Sequence, residues 1–124
     1  LADAKKGVNM FQMDSIDVPV LGIVENMSYF VPEDLPDNKY YIFGKDGAKN
    51  LADELGINLL AQIPIVQSLR EAADAGRPAV LQKDSEISNT FINLANEVVK
   101  VIEKRNNSLP STEAVKITNM KGCS

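Results

Sequence analysis

The sequence contains few of the side chains that most often carry catalysis or bind metals. Among its 124 residues it has no histidine and a single cysteine, Cys123. Without histidine, the commonest general base and the commonest zinc ligand are both missing. One cysteine excludes an internal disulfide, which fits a reducing compartment such as the cytoplasm. We therefore predict a cytoplasmic protein whose function rests on other groups.

Clustered positive charge and long apolar runs are also missing. The formal net charge is -4, and the 13 basic residues are scattered along the chain. Phosphate backbones are bound by concentrated lysine and arginine, so we expect no nucleic-acid partner. No apolar run approaches the roughly 20 residues that cross a bilayer, and no secretory signal is visible. With 44% hydrophobic residues, the composition is that of a soluble protein of single-domain size without a membrane partner.

A phosphate-binding loop is the third missing feature. P-loop proteins use Gly-x-x-x-x-Gly-Lys-Ser/Thr, in which backbone amides and the lysine bind phosphates and the hydroxyl binds magnesium. No such stretch occurs in these residues. The nearest segment, GKDG at 44–47, has no hydroxyl after the lysine and places Asp46 where a carboxylate would repel phosphate. We predict that this segment is a turn leading into a helix.

The most informative feature that is present is an apolar run, VPVLGIVENMS at 18–28, which stops at an acid and an amide. Such a run is typical of a strand buried on both faces of a parallel sheet. Ligands bind these sheets at the carboxyl ends of the strands. The Asn26 amide at this end would form hydrogen bonds with the edge of a bound group. The alternative is that Glu25 and Asn26 only cap the strand as turn-forming residues.

Hydrophobic periodicity and turn residues predict an α/β chain with a tail. Residues 1–104 are predicted to form the folded part, and 105–124 a flexible polar tail. The predicted helices are 2–13, one from an N-cap at Asp46 to a stop at Gly56, 66–75 ending at Gly76, and one from Asp84 or Ser85 to about Lys104. The predicted strands are 18–25, a short hairpin arm at 39–43, and 58–63, with a proline-containing loop at 31–38.

Three stretches occur in a specific order and spacing. They are LADAKKGVNMF at 1–11; VPVLGIVENMSYF at 18–30 with IFG at 42–44; and IPI at 63–65 with LRE at 69–71 and DAGRP at 74–78. Each is ordinary alone. Together they resemble the Mrp/Nbp35 (ApbC-like) family of P-loop ATPases, iron–sulfur cluster carriers, over most of residues 1–81.

The resemblance implies the C-terminal portion of a MinD/Mrp-like P-loop NTPase, a parallel sheet flanked by helices that is incomplete in this chain. The family's phosphate loop, magnesium-binding and switch segments would precede Leu1. We therefore expect a fragment that does not hydrolyse ATP by itself. Its full-length parent would be an ATPase that binds ATP and Mg²⁺, assembles or carries iron–sulfur clusters, and interacts with iron–sulfur client proteins.

The resemblance also implies a base-binding site. Asn26 would contact the adenine of ATP, and the loop that begins with Pro64 and Ile65 would cover the other side of the base. An Asn amide both donates and accepts, as the adenine edge requires. Guanine-reading P-loop proteins have Asp shortly after Asn-Lys, whereas Met27 and Ser28 follow here, so adenine is favoured.

At the positions of the family's cluster-binding cysteines, the sequence differs from the family that it resembles. Many family members carry Cys-x-x-Cys shortly after the Met-Ser-x-Phe segment, and two chains then pool four thiolates around a cluster. The corresponding positions here are Pro32 and Leu35, which do not ligate iron. Cys123 alone does not replace a spaced pair, and we interpret it as a solvated thiol. Cluster binding through the usual motif is therefore not expected.

Two predicted parallel strands leave open edges and apolar faces. An N-terminal half, a second copy or a rearrangement would supply the missing sheet, and we expect a homodimer. Two other functions stay open: a noncatalytic module whose sheet edge pairs with another protein, and a complete but degenerate regulator that has lost its phosphate loop. Arg70 and Glu71 are either a functional pair at a subunit or nucleotide boundary or an ordinary surface ion pair.

Overall fold

The computed structural model describes residues 1–32, 34–82 and 85–113. Cys123 and the predicted tail beyond residue 113 lie outside the described residues. In chain order, the helices and strands within these ranges are α1 (Ala2–Phe11), β1 (Gly22–Glu25), α2 (Gly47–Leu55), β2 (Asn58–Gln62), α3 (Gln67–Asp74), a 3-10 helix (Ala79–Leu81) and α4 (Glu86–Ser108).

Strands β1 and β2 pair in parallel, and α2 is the crossover between them, which confirms the α/β prediction. Gly22 lies opposite Asn58 and Glu25 opposite Gln62. Strand β1 is shorter than the predicted strand 18–25. Because β2 begins opposite Gly22, residues 18–21 have no ladder partner in the described part of the chain, and apolar composition alone does not make them a strand.

The two strands approach closely at Gly22. A Cβ atom at this position would lie 2.6 Å from Leu60 Cγ and 2.7 Å from the Asn58 carbonyl oxygen. Both distances are far below ordinary van der Waals contact, so any side chain here would push the strands apart. Glycine is therefore required by the spacing of the sheet.

Beyond Gln62 the ladder continues with a bulge. Ile63 N donates to Glu25 O at 2.8 Å, and Ser28 N donates to Ile63 O at 2.9 Å. In a regular parallel ladder a single residue separates the two that bond to one partner. Here both Asn26 and Met27 lie between them, so these two residues form the bulge. Met27 adopts a left-handed backbone conformation with φ 56°.

Helix α2 begins where predicted, but by another mechanism. Asp46 precedes it with φ 61°, and its side chain makes no capping hydrogen bond. The amide of Ala48 donates to the carboxylate of Glu25, which lies 23 residues earlier in the chain. The predicted side-chain cap is thus wrong, because a nonlocal carboxylate takes its place.

Other helix ends follow the sequence signals more closely. Gly56 and Gly76, with φ 65° and 64°, follow α2 and α3 as predicted. Ser85 caps α4, its hydroxyl accepting from Ser88 N at 3.1 Å. Helix α4 extends four residues beyond Lys104 to Ser108. Polar side chains do not stop a helix, whereas Pro110, two residues beyond Ser108, has no amide hydrogen to continue one.

The hairpin arm predicted at 39–43 is reduced to one bridge. Phe30 and Tyr40 exchange two backbone hydrogen bonds of 2.8 Å in an antiparallel pair. The chain then turns, and Gly44 N donates to Tyr41 O at 3.2 Å. The turn ends the pairing before a strand can form.

The core of the described residues consists of two groups of apolar side chains and of Val8, which α1 buries. Helix α2 contacts both strands and buries Ala48, Leu51 and Ala52. The second group joins the end of β2 to α4 and comprises Ile63, Ala79 and Ile87, with Val66, Leu69, Phe91 and Leu94 packed around them. Within the described ranges, no helix is both long enough and apolar enough to cross a membrane.

Candidate functional site

The carboxylate of Glu25, the last residue of β1, joins three segments of the chain. Its Oε1 accepts from Ala48 N at 3.2 Å, at the start of α2. Its Oε2 accepts from Gln62 Nε2 at 2.6 Å, at the end of β2, and from Ser28 Oγ at 2.9 Å, just after the bulge. Ser28 is buried, and both its hydroxyl and its amide are hydrogen-bonded. This one side chain therefore links the carboxyl ends of both strands to the start of α2.

Two opposing effects set the pKa of Glu25. Burial raises the pKa, but the hydrogen bonds from the Gln62 side chain, the Ala48 amide and the Ser28 hydroxyl together outweigh burial and leave the pKa below the ordinary value of 4.5. All three donors are neutral. The carboxylate is thus ionised at neutral pH and stabilised by dipoles.

Asn26 projects from the bulge and is exposed. Its Oδ1 accepts from Met27 N at 3.0 Å, which fixes the direction of the amide group. One lone pair of Oδ1 and both hydrogens of Nδ2 have no hydrogen-bond partner in the described residues. Asn26 therefore caps the strand end locally, as the alternative interpretation predicts, and also offers both a donor and an acceptor outward.

Pro64 and Ile65 follow β2 and lie beside the segment that carries Asn26. Ile63, which immediately precedes Pro64, bonds to both flanks of the bulge, and Ile65 N donates to Tyr29 O at 2.7 Å. Pro64 is buried, whereas Ile65 is half-buried. The structure thus brings the three predicted site residues to one end of the sheet, with Ile65 more accessible than the proline ring.

Two further predicted positions lie on the loop after the bulge. Leu35 N donates to Pro32 O at 3.1 Å, which brings these two positions close together. Leu35 is 45% exposed. Within the described residues, no three histidine, cysteine, aspartate or glutamate side chains come together as a metal site.

Arg70 forms surface ion pairs on α3. It lies 3.8 Å from the Glu71 carboxylate and 3.1 Å from that of Asp74, one helical turn away. All three side chains are more than half exposed. This geometry fits the ordinary ion-pair interpretation better than a functional pair, and such pairs stabilise little.

Sequence reasoning missed the central role of Glu25 and the contacts of two tyrosine rings with two lysines. Lys39 Nζ lies 4.4 Å from the ring centroid of Tyr29, and Lys45 Nζ lies 5.3 Å from that of Tyr41. The two tyrosine rings are 6.3 Å apart and tilted by 58°. An acid that ends an apolar strand was the available signal for Glu25, whereas no spacing in the sequence predicts the tyrosine–lysine contacts.

The family comparison agrees with this architecture. A ParA family model, described as the NUBPL iron-transfer P-loop NTPase, matches residues 1–99. The chain belongs to this family. The resemblance found in the sequence segments is thereby confirmed.

Curated relatives of the family give the same result. The chain is 44% identical over 108 residues to the iron-sulfur cluster transfer protein NUBPL of Dictyostelium discoideum, covering 86% of this chain and 32% of the relative. It is 41% identical over 109 residues to the iron-sulfur cluster carrier protein of Aquifex aeolicus, covering 86% and 29%. The chain thus spans about a third of the length of the curated relatives that it matches.

A solved structure supports the fold. The nucleotide-binding protein of Archaeoglobus fulgidus, in complex with ADP, is similar with a TM-score of 0.54 and 36% sequence identity, over 61% of this chain and 30% of that chain. The α/β fold of this chain is therefore similar to part of a nucleotide-binding P-loop protein.

Proposed function

We propose that this chain supplies the adenine-binding, C-terminal part of a longer ATPase that assembles or carries iron–sulfur clusters. The observation that carries the proposal is the bulge at the carboxyl end of β1, which directs Asn26 outward beside Pro64 and Ile65. Ligands of open α/β sheets bind at this end. The ADP held by the similar Archaeoglobus protein supports a nucleotide, and the names of the relatives support the iron–sulfur task.

The free groups of Asn26 match adenine. Nδ2 donates to a ring nitrogen, and the remaining lone pair of Oδ1 accepts from the exocyclic amine. Ile65, half-buried beside the bulge, offers an apolar surface to the base. Guanine has a carbonyl oxygen where adenine has the amine, so the same pair of contacts does not form with it.

The phosphates and Mg²⁺ would bind to a phosphate loop, which these 124 residues do not contain. Contacts with the phosphates provide most of the affinity for a nucleotide. The chain alone should therefore show no Mg²⁺-dependent ATPase activity above a no-protein control. Turnover that survives repurification and disappears on mutation of a residue of this chain would show that hydrolysis does not need that loop.

Replacing Asn26 by alanine tests the base site in the longer protein. Asn26→Ala should weaken ATP binding by about 1–2 kcal/mol, because the base loses its hydrogen bonds. Turnover at saturating ATP should change little, since the amide touches the base and not the reacting phosphate. Calorimetry with ATP and GTP measures both affinities. Asn93→Ala, at an exposed position on α4, is the matched control.

Two results would contradict this assignment. Equal ATP affinity of wild type and Asn26→Ala would leave Asn26 as a strand cap only. Tighter binding of GTP than of ATP by the wild type would exclude adenine as the recognised base. The coding sequence upstream of Leu1 provides a further check, since a Gly-Lys-Gly-Gly-x-Gly-Lys-Ser segment in frame supports the longer ATPase directly.

The cluster, if carried, needs ligands other than the usual pair. Pro32 and Leu35 have the Cys-x-x-Cys separation and are joined by a backbone hydrogen bond, so Pro32→Cys/Leu35→Cys should permit iron uptake in a homodimer and leave ATP affinity unchanged. Iron content and absorbance after reconstitution measure the uptake, and Pro32→Cys alone is the control. Equal iron content in the two variants would contradict a cluster site at positions 32 and 35. We propose iron–sulfur client proteins on the same family grounds, and a cytoplasmic location because a single cysteine fits a reducing compartment.

One observation favours a second candidate, a noncatalytic assembly module. Ile42 and Phe43 are 60% and 72% exposed, directly after the single Phe30–Tyr40 bridge. Exposed apolar side chains that follow an isolated antiparallel bridge fit pairing of this segment with another protein. Absence of nucleotide binding in the longer protein, together with a stable complex through this edge, would favour this candidate.

A further inference from the structure

We propose that Glu25 is the positioning residue of the base site, acting on the nucleotide through Asn26. The inference rests on the proposed function, because it requires that Asn26 contacts the base. Glu25 itself points away from the exposed side of the bulge, toward Ser28, Gln62 and Ala48. Its contribution is to fix where the Asn26 amide stands relative to the loop after β2.

The first connection closes the bulge. Glu25 and Ser28 flank Asn26 and Met27, and their backbones both bond to Ile63. The Ser28 hydroxyl donates to Glu25 Oε2 at 2.9 Å, so the two flanks are joined a second time through their side chains. The backbone of Asn26 and Met27 is therefore held at both of its ends, and Met27 adopts its left-handed conformation between them.

The second connection links the bulge to the end of β2, which leads into the loop on the other side of the proposed base site. Gln62 Nε2 donates to the same Oε2 atom at 2.6 Å. Gln62 ends β2 and leads directly into Ile63 and Pro64. A shift of the Glu25 carboxylate therefore changes the spacing between Asn26 and the segment that would cover the base.

The third connection reaches α2. Ala48 N donates to Oε1 at 3.2 Å, and the residues before it turn through Gly44 and Asp46, which have positive φ angles of 95° and 61°. This turn has no side-chain cap of its own from Asp46. The Glu25 carboxylate thus holds the start of the helix that contacts both strands.

A carboxylate suits this position because it only accepts hydrogen bonds and has two oxygens. Methionine at position 25 would fill a similar volume and accept none of the three bonds. Glutamine would keep one oxygen for Ala48, and its amide would bond to Gln62 after the Gln62 side-chain amide rotates by 180°. Glutamine is therefore the conservative replacement, and methionine is the disruptive one.

A double-mutant cycle in the longer protein tests the inference. Glu25→Met should weaken ADP binding about tenfold, Glu25→Gln should weaken it less than about threefold, and Asn26→Ala should weaken it about tenfold. In the Asn26→Ala background, Glu25→Met should add less than about twofold, because residues that act through one contact are not additive. Glu103→Met, at an exposed position on α4, should bind ADP as the wild type does.

The outcomes separate the two proposals. If Glu25→Met weakens ADP binding equally with and without Asn26, Glu25 acts on the fold in general and the positioning role is wrong. If Asn26→Ala weakens binding and Glu25→Met does not, the positioning role alone fails. If Asn26→Ala binds ADP as the wild type does, the base assignment fails and the positioning role falls with it. Should Glu25→Met not fold, Ser28→Ala removes the bond that closes the bulge and enters the same cycle.

Discussion

Glu25 is charged, half-buried and bonded only to neutral donors among the described residues. Because its folded pKa is lowered, its ionised form stabilises the folded state at neutral pH. This stabilisation is present in full above the pKa that Glu25 has in the unfolded chain. It is lost as the pH falls through the pKa that Glu25 has in the folded chain, which lies below 4.5. Acid should therefore loosen the carboxyl end of the sheet.

Glu25→Gln isolates this effect. Between pH 7 and pH 3 the free energy of unfolding should fall more steeply for the wild type than for Glu25→Gln, since the variant has no proton to gain at this site. Urea denaturation at each pH measures the difference. Because the donors are neutral dipoles, the difference at pH 7 should change little with salt. A difference that stays constant with pH would mean that Glu25 is not the titrating group.

Two glycines with opposite surroundings give a second test at the residue scale. Gly22→Ala should destabilise the chain by about 1–3 kcal/mol, because the new methyl group overlaps Leu60 and the Asn58 carbonyl. Gly7→Ala, within α1, should stabilise it by about 0.5–1 kcal/mol, since a Cβ there meets no atom within 4 Å. Thermal unfolding compares the two. Equal effects of the two substitutions would show that the strands can move apart at Gly22.

Among the secondary-structure elements, α4 depends on its cap. Ser85→Ala should lower stability by about 1 kcal/mol, because Ser88 N loses the oxygen that accepts its hydrogen bond at 3.1 Å. Ser111→Ala, exposed beyond the helix, should have almost no effect. Circular dichroism during thermal unfolding measures both. Equal melting temperatures for Ser85→Ala and the wild type would indicate that another group caps the helix.

The helices were predictable because their signals are local. Ile87, Phe91 and Leu94 follow the helical repeat and lie in or against the core, and Gly56 ends α2 by its own backbone freedom. The failures involve partners distant in sequence. Residues 18–21 lack a strand opposite them in the described ranges, and the cap of α2 comes from Glu25 rather than Asp46.

The candidate site divides in the same way. Asn26 is recognisable as a polar residue that ends an apolar run, and the structure places it where Pro64 and Ile65 also lie. The bulge is not recognisable, because it is defined by two hydrogen bonds to Ile63, far along the chain. The contacts of Tyr29 with Lys39 and of Tyr41 with Lys45 depend on a loop path that local patterns do not specify.

For the molecule as a whole, the described residues contain a two-stranded sheet, so each strand has an unpaired edge there. Large apolar side chains are also exposed, Phe43 at 72% and Ile42 at 60%. We expect the isolated chain to self-associate, since a second copy can cover these surfaces. Light scattering over a concentration series measures the association.

Ile42→Ser/Phe43→Ser should reduce that association, and Val99→Ser, which removes an exposed apolar side chain on α4, should reduce it less. A folded wild-type monomer at every concentration would mean that the open edges do not need a partner. Association that persists unchanged in the double variant would place the interface elsewhere on the chain.

The bulge also changes which side chains lie on each face of the strand. Counting in twos along a regular strand would put Val24, Asn26 and Ser28 on one face. Their exposures disagree, since Val24 is 39% exposed and Ser28 only 4%. The one extra residue shifts the alternation, so Ser28 lies on the side of Glu25 although three positions separate them. This end of the sheet should therefore tolerate a different side chain at position 27 better than the deletion of a residue.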